Sequence, residues 1–254
     1  MVKRVFPMLP LLLVLPAVVC FVSFADAGPV SVADYSGPIR VACIGDSITF
    51  GAGIRDRAKN SYPVQLGKML GQKWEVRNFG VSGATLLKKG DKPYWKQRAW
   101  KAALDFKPHI VVIKLGTNDT KPQNWKSQGE FVADYKDMIK TLSGQDPKPR
   151  IWICKPVPAY ATRWGINDKT ITEGVIPKAE QVAKETGAEV IDLYKPLSGK
   201  AKLFPDKIHP NAEGAGLMAA EIYKVLTGKQ PPTKTPPGKK APSRPAKDVP
   251  ATAP

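Results

Sequence analysis

Strand-like and helix-like segments alternate through residues 38–228, and this alternation restricts the fold more than any other feature of the chain. Such alternation predicts a parallel sheet with helices covering both of its faces. We therefore expect a three-layer α/β/α fold built on a five-stranded parallel sheet. The expected strands are 39–44, 74–79, 110–115, 151–157 and 189–193, and the expected helices are 61–70, 98–106, 131–142, 176–186 and 212–226.

Residues 1–27 have the pattern of a signal peptide. Lys3 and Arg4 precede an apolar run at 8–24, and Ala25-Asp26-Ala27 matches the small-x-small cleavage site. The alternative is an uncleaved membrane anchor, which the prolines at positions 7, 10 and 16 disfavour because proline interrupts a spanning helix. We expect cleavage, export to the periplasm or the exterior, and no transmembrane domain in the mature form.

The remaining chain divides into three segments. Residues 28–37 are expected to form an N-terminal linker, and residues 38–228 a single domain. Residues 229–254 are rich in proline, lysine and alanine and contain no aromatic residue. Because such a segment cannot bury enough apolar surface to offset the entropy of ordering, we expect a disordered tail.

The chain is strongly basic, with a net charge of +17. This charge favours anionic surroundings such as acidic polysaccharide, a cell envelope or nucleic acid, although it also simply improves solubility. No motif interleaves basic and aromatic residues, so we expect no nucleic-acid partner. The basic tail at 229–254 predicts contact with an anionic envelope.

Cys43 and Cys154 are the cysteines beyond residue 27, and each lies in an apolar strand-like run. They are compatible with one disulfide in an exported protein and equally with two buried free thiols. Their spacing does not indicate a metal site.

A serine and a histidine far apart in the chain fall where ligands bind in parallel sheets, beyond the carboxyl ends of strands. Ser47 follows the first strand, and His209 lies three residues after Asp206 in a loop beyond the fifth. A serine needs a base to become a good nucleophile, and a neutral imidazole held by a carboxylate can serve. The alternatives are a helix-capping serine and a packing histidine. His109 is a weaker candidate, because it lies at the amino end of the third strand.

Two further segments supply hydrogen-bond donors at the same edge. Gly83 lies in the loop after the second strand, and Asn118 follows the third strand. Donors aimed at a developing oxyanion commonly make the largest catalytic contribution. Ordinary turn chemistry is the alternative, because glycine and asparagine are common in turns.

Four sequence blocks together resemble the SGNH (GDSL-type) hydrolase family. They are GDSIT at 45–49, NFGVSGAT at 78–85, GTND at 116–119 and DKIH at 206–209, and they occur in the family's order and spacing. The resemblance covers residues 38–228. It implies the strand order 2-1-3-4-5 and neither a metal nor an organic cofactor.

The resemblance also implies roles for individual residues. Ser47 would be the nucleophile, His209 the base and Asp206 the acid that orients it. The oxyanion hole would consist of the Ser47 and Gly83 backbone N–H groups and the Asn118 side chain. Asp46 and Asp119 would brace turns, because each adjoins a site residue.

The substrate is suggested by export, which disfavours acyl-CoA, and by polar and aromatic rim segments. We expect Trp125, Tyr160, Arg163 and Trp164 to contact sugar, although these side chains could instead pack the loops. The chain is also similar to exported sialate O-acetylesterase-like carbohydrate acetylesterases. We therefore predict a secreted serine esterase that hydrolyses O-acetyl or other short-chain esters of carbohydrates through an acyl-enzyme on Ser47. The alternatives are a lysophospholipase or arylesterase and a non-catalytic carbohydrate- or envelope-binding protein.

Overall fold

Five strands form one parallel sheet in the order β2-β1-β3-β4-β5 in the computed structural model, which describes residues 28–232. Every neighbouring pair runs parallel, which confirms the predicted sheet and its order. Because the order reverses at β1, the carboxyl ends of β1 and β3 border the crevice where such folds bind ligands. The strands are β1 (Ile39–Gly45), β2 (Trp74–Gly80), β3 (Ile110–Lys114), β4 (Arg150–Lys155) and β5 (Glu189–Asp192).

Helices connect the strands, and all five helices expected from the sequence are present. The α-helices are α1 (Ser47–Phe50), α2 (Arg57–Asn60), α3 (Tyr62–Leu70), α4 (Arg98–Asp105), α5 (Pro122–Trp125), α6 (Phe131–Ser143), α7 (Asp168–Thr170), α8 (Ile176–Thr186) and α9 (Ala212–Thr227). A π-helical segment, Ile171–Val175, joins α7 to α8. The 3-10 turns are Val32–Asp34, Tyr94–Lys96, Asn118–Thr120, Gln128–Glu130, Lys195–Leu197 and Ala201–Leu203.

Both faces of the sheet are buried, as an all-parallel sheet requires. In β1, Ala42 and Ile44 contribute to the core on the face covered by α4, α6 and α8. Val41 and Cys43 point the opposite way, into the core beneath α3 and α9. The strand therefore has an apolar run instead of polar–apolar alternation.

Some element boundaries and flanking segments differ from the sequence-based expectation. The fourth strand ends at Lys155 and not at residue 157, because Pro156 has no N–H to continue the ladder. Residues 28–37, expected to be a linker, contact the domain: the Val30 N–H donates to the Leu226 carbonyl at 2.8 Å. The predicted signal peptide and residues 233–254 of the predicted tail lie outside the described residues. Between residues 28 and 232, the helices lack the combination of length and apolar character that would carry one across a bilayer.

Cys43 on β1 and Cys154 on β4 are both buried free thiols. Of the two alternatives left open by the sequence, the structure therefore has the reduced pair. Burial raises the pKa of the Cys43 thiol to about 12, and burial also raises the pKa of Cys154. Since the thiolate is the reactive form, both thiols are chemically inert in the folded state.

Candidate active site

Ser47 begins the short helix α1 directly after a tight turn at the end of β1. A β-carbon on Gly45 would lie 2.0 Å from the Thr49 hydroxyl oxygen and 2.6 Å from the Lys114 carbonyl oxygen, so only glycine fits there. Asp46 caps the helix, and its Oδ1 accepts a hydrogen bond from the Ile48 N–H at 2.9 Å. The turn leaves Ser47 only 8% exposed, at the carboxyl edge of the sheet.

His209 lies between Ser47 and Asp206. Its Nε2 is 2.9 Å from the Ser47 Oγ, and its Nδ1 is 2.6 Å from the Asp206 Oδ2. The other carboxylate oxygen, Oδ1, accepts hydrogen bonds from the backbone N–H groups of Ile208 at 2.9 Å and His209 at 2.7 Å. The structure thus brings together the serine, histidine and aspartate singled out from the sequence.

The surroundings of Asp206 favour its ionised form. Burial alone would raise the pKa of Asp206, but the hydrogen bonds from His209 and from the Ile208 N–H outweigh burial and lower it. An ionised carboxylate at Nδ1 selects the imidazole tautomer that carries its proton there. The Nε2 lone pair then faces the Ser47 hydroxyl, which is the arrangement a general base needs.

A hydrogen bond joins the loops that follow β2 and β3, the two strands that flank β1. The Asn118 Nδ2 donates to the Ala84 carbonyl at 3.1 Å, and its second N–H remains for another acceptor. Gly83, one residue before Ala84, has φ +80°, a left-handed conformation that glycine adopts without steric cost. Asn118 is 3% exposed, so its amide is held in a largely water-free position.

Asp119 braces the same pair of loops. Its two carboxylate oxygens accept hydrogen bonds from the Leu86 N–H at 3.0 Å and the Leu87 N–H at 2.8 Å. Burial raises the pKa of Asp119 to about 7, against the opposing effect of these two hydrogen bonds. Asp46 and Asp119 thus make the turn-bracing contacts expected from their positions next to Ser47 and Asn118.

Two of the four expected sugar-contacting residues lie at the histidine. The Trp164 ring is 5.7 Å from the His209 ring, between centroids, and Trp164 is 54% exposed. The Arg163 guanidinium lies 4.4 Å from the Trp164 ring centroid, and its Nη1 donates to the Asp206 carbonyl at 3.2 Å. This exposed pair forms a rim beside the Ser47–His209 contact.

The other two expected sugar-contacting residues are engaged by the protein. The Tyr160 hydroxyl donates to the Leu197 carbonyl and accepts from the Lys200 N–H at 2.8 Å. The Trp125 ring packs edge-on against Phe131, with 5.9 Å between centroids. Both residues thus have partners within the protein, and sugar contact by Trp125 and Tyr160 stays a prediction from the sequence.

Lys114 is a residue of this region that sequence reasoning missed. It ends β3 and its side chain is fully buried, in an ion pair with Asp46 at 3.0 Å. It also donates to the Thr117 Oγ1 at 2.6 Å. The available signal was a lysine at the end of the apolar run Ile110-Val111-Val112-Ile113, a position where a charge needs a buried partner.

A Ser-His-Asp arrangement at the carboxyl edge of a doubly covered parallel sheet defines the class of α/β serine hydrolases. Within that class, the chain belongs to the GDSL-like lipase/acylhydrolase family, whose profile matches residues 43–217. This confirms the family resemblance found in the sequence and makes the chain a member of a family of carboxylic ester hydrolases.

The chain is also similar to an individual esterase. An acetylxylan esterase of Xylanibacter ruminicola is 49% identical over 199 residues, covering 71% of this chain and 42% of that protein. The chain therefore spans less than half the length of this relative.

Solved structures share the fold. A G-D-S-L family protein from Desulfitobacterium hafniense is 26% identical, with a TM-score of 0.58 and coverage of 74% of this chain and 99% of that one. The carbohydrate acetylesterase Est24 from Sinorhizobium meliloti has a TM-score of 0.62 at 18% identity and coverage of 73% and 97%. The M. smegmatis aryl esterase has a TM-score of 0.60 at 19% identity and coverage of 74% and 100%. At such identities the last two show the fold alone.

Proposed function

We propose that this chain is a serine esterase that removes acetyl or similarly short acyl groups from carbohydrate hydroxyls. The observation that carries this proposal is the 2.9 Å contact between the Ser47 Oγ and the His209 Nε2, with Asp206 on the other ring nitrogen. The 49% identity to an acetylxylan esterase supports an acetylated carbohydrate as the substrate class.

The proposed reaction proceeds in two halves. His209 Nε2 takes the Ser47 hydroxyl proton while Oγ bonds to the ester carbonyl carbon, and the carbonyl π electrons move onto its oxygen. As the tetrahedral intermediate collapses, the bond to the sugar oxygen breaks and His209 returns the proton to that oxygen. Water, deprotonated by His209, then attacks the acetyl-enzyme, and acetate leaves as Ser47 regains its proton.

We assign the oxyanion hole to the Ser47 and Gly83 backbone N–H groups and the Asn118 Nδ2. The Asn118 amide is supported in this role by its burial and by the bond to Ala84, which leaves its second N–H available. A single donor of this kind contributes on the order of 3–4 kcal/mol to stabilising the transition state.

We assign sugar contact to Trp164 and Arg163. An exposed indole beside His209 offers an apolar face to a sugar ring, and the guanidinium offers several N–H donors to its hydroxyls. We do not extend this assignment to Trp125 and Tyr160, whose rings pack against Phe131 and Phe204.

We further propose export of the protein and contact between the basic tail at 229–254 and an anionic envelope. The pattern of residues 1–27 and the excess of basic residues in the tail support this. Deleting residues 229–254 should release the protein from envelope preparations at low salt. Low salt is the condition to use, because attraction between exposed charges is least screened there. Unchanged retention would contradict the proposed contact.

The central test is Ser47→Ala. It should abolish hydrolysis of p-nitrophenyl acetate while the circular dichroism spectrum stays unchanged. Ser198→Ala is the matched control, because Ser198 is exposed and its hydroxyl donates to the Tyr194 carbonyl and not to His209. A fluorophosphonate probe should label Ser47 in the parent protein. Full residual activity in Ser47→Ala, or no labelling of the parent, would contradict an acyl-enzyme on Ser47 and would favour a binding protein.

The substrate is tested by acetate release from acetylated xylan, acetylated sialic acid and acetylated pectin fragments. The proposal predicts release from at least one of them and a steep loss of activity on p-nitrophenyl esters longer than about four carbons. Undiminished activity on long-chain esters without acetate release from any carbohydrate would favour a lysophospholipase or arylesterase.

A further inference from the structure

The buried ammonium of Lys114 joins two parts of the proposed catalytic apparatus. Its Nζ lies 3.2 Å from Oδ1 and 3.0 Å from Oδ2 of Asp46, and 2.6 Å from the Thr117 Oγ1. The Lys114 and Asp46 side chains are both 0% exposed. A lysine ammonium has three protons to donate, and the three acceptor oxygens on Asp46 and Thr117 match that number.

Stability alone does not explain why this position holds an ion pair. Taking two charges out of water is costly, and replacing a buried ion pair by apolar side chains of similar volume is often neutral or stabilising. The neighbouring residues of β3 are apolar and buried, so a methionine at position 114 would match its surroundings. We therefore look for the role of the Lys114–Asp46 pair in the positions that it gives to the neighbouring residues.

That geometry acts on both sides of the proposed reaction centre. Asp46 directly precedes the nucleophile Ser47 and also caps α1 through the Ile48 N–H. Thr117 directly precedes Asn118, the proposed side-chain donor of the oxyanion hole. A single ammonium thus connects the nucleophile turn to the oxyanion loop.

We infer that Lys114 is a positioning residue that sets the relation between Ser47 and Asn118; this inference rests on the function proposed above. Lys114 is buried behind the two loops and does not contact substrate. Loss of the Lys114 ammonium should therefore lower kcat and leave KM nearly unchanged. The substitution disturbs a geometry that the transition state requires, whereas binding of the ground-state substrate does not depend on it.

A double-variant comparison separates positioning from simple charge compensation. Lys114→Met alone should lower Tm, because it leaves the Asp46 carboxylate buried and unpaired. Lys114→Met with Asp46→Asn should recover most of that Tm, while kcat on p-nitrophenyl acetate stays 10- to 100-fold below the parent and KM stays within about twofold. Fluorophosphonate labelling of Ser47 should slow in parallel.

Lys155→Met is the matched control. Lys155 ends the neighbouring strand β4 and pairs with Glu180 at 2.6 Å and Asp192 at 3.4 Å, neither of which is assigned to catalysis. Its kcat should match that of the parent protein. A comparable fall in kcat would mean that any strand-end lysine has this effect, and would overturn the specific role of Lys114.

Recovery of both Tm and kcat in the double variant would overturn the inference, because the pair would then only compensate charge. If the double variant does not fold, Thr117→Val decides: it keeps the ion pair and removes one acceptor, and an unchanged kcat overturns the inference. If the parent protein is active and labelled, and the double variant is equally active, the inference is contradicted and the proposed function stands. A parent protein that is neither active nor labelled overturns the proposed function and the inference with it.

Discussion

The Nε2 of His209 lies 2.9 Å from the Oγ of Ser47, although 162 positions separate the two residues in the chain. Ser47 is placed by the end of β1, and His209 by the loop that leads into α9. That helix is capped by Asn211, whose Oδ1 accepts from the Gly214 N–H at 3.0 Å. It is fastened to α3 by Gln65, whose Nε2 donates to the Ala212 carbonyl at 2.9 Å. Packed elements on one face of the sheet thus hold both ends of the contact.

Asp206 should make stability depend on pH in the acid range. Its folded-state pKa is lower than the ordinary value of an aspartate, so between the two values the unfolded chain binds more protons. Its stabilising contribution is therefore fully present above the ordinary range near pH 4 and is lost as pH falls through the folded-state pKa. Urea unfolding of the parent and of Asp206→Asn should give a difference in unfolding free energy at pH 6 that shrinks below about pH 4.

Asp105→Asn serves as the control for that series, because Asp105 forms only an exposed pair with Lys101 on α4. Exposed pairs of this kind contribute little to stability, so its unfolding free energy should follow the parent curve. A difference between parent and Asp206→Asn that stays constant with pH would show that Asp206 does not stabilise through its charge.

Asn118→Ala should separate catalysis from loop stability. Loss of an oxyanion donor lowers kcat by about 10²- to 10³-fold, and loss of the buried bond to Ala84 lowers the free energy of unfolding by about 1–3 kcal/mol. Steady-state kinetics on p-nitrophenyl acetate and urea unfolding measure the two effects.

Asn124→Ala is the matched control for this prediction. Asn124 is also buried, and its Nδ2 donates to the Asn118 carbonyl at 2.9 Å and to Asp91 at 3.0 Å. Its removal should destabilise the same loop and lower kcat by less than about tenfold, because the oxyanion donor is retained. Equal losses of kcat in the two variants would mean that Asn118 acts only through loop structure.

Trp164→Ala should weaken carbohydrate binding without affecting the chemistry. The side chain is exposed beside His209, so its removal should raise KM for an acetylated xylan fragment about tenfold, on the order of 1.4 kcal/mol. The kcat/KM for ethyl acetate should stay within about twofold, because its alcohol part has no ring to stack on the indole.

Two further variants sharpen this test. Trp164 has φ +52°, an unfavourable conformation for a bulky residue, so Trp164→Gly should reproduce the rise in KM and be at least as stable as Trp164→Ala. Val32→Ala, at the other large exposed apolar side chain of residues 28–232, should leave KM unchanged. An unchanged KM in both Trp164 variants would contradict sugar contact at the rim.

Much of the fold follows from local pattern. Apolar runs such as Ile110-Val111-Val112-Ile113 can be stable only when buried on both sides, and the helical spacing between runs then determines a covered parallel sheet. Parallel strands end at a common edge, so Ser47 and Asn118 could be assigned to it without coordinates. The surroundings of the Tyr160 and Trp125 rings could not be predicted, because a sequence does not tell whether an aromatic ring faces solvent or a neighbouring side chain.

Three features can be predicted from local sequence pattern: the order of secondary structure, the family, and the sheet edge that carries Ser47, Gly83, Asn118 and His209. These depend on periodicity and on short motifs, which are local properties of the chain. Three other features become visible in the folded chain alone: Cys43 and Cys154 are unpaired, Trp164 lies beside His209, and Lys114 and Asp46 form a buried ion pair across 68 positions. Contacts between distant residues depend on side-chain direction and packing, which local pattern does not specify.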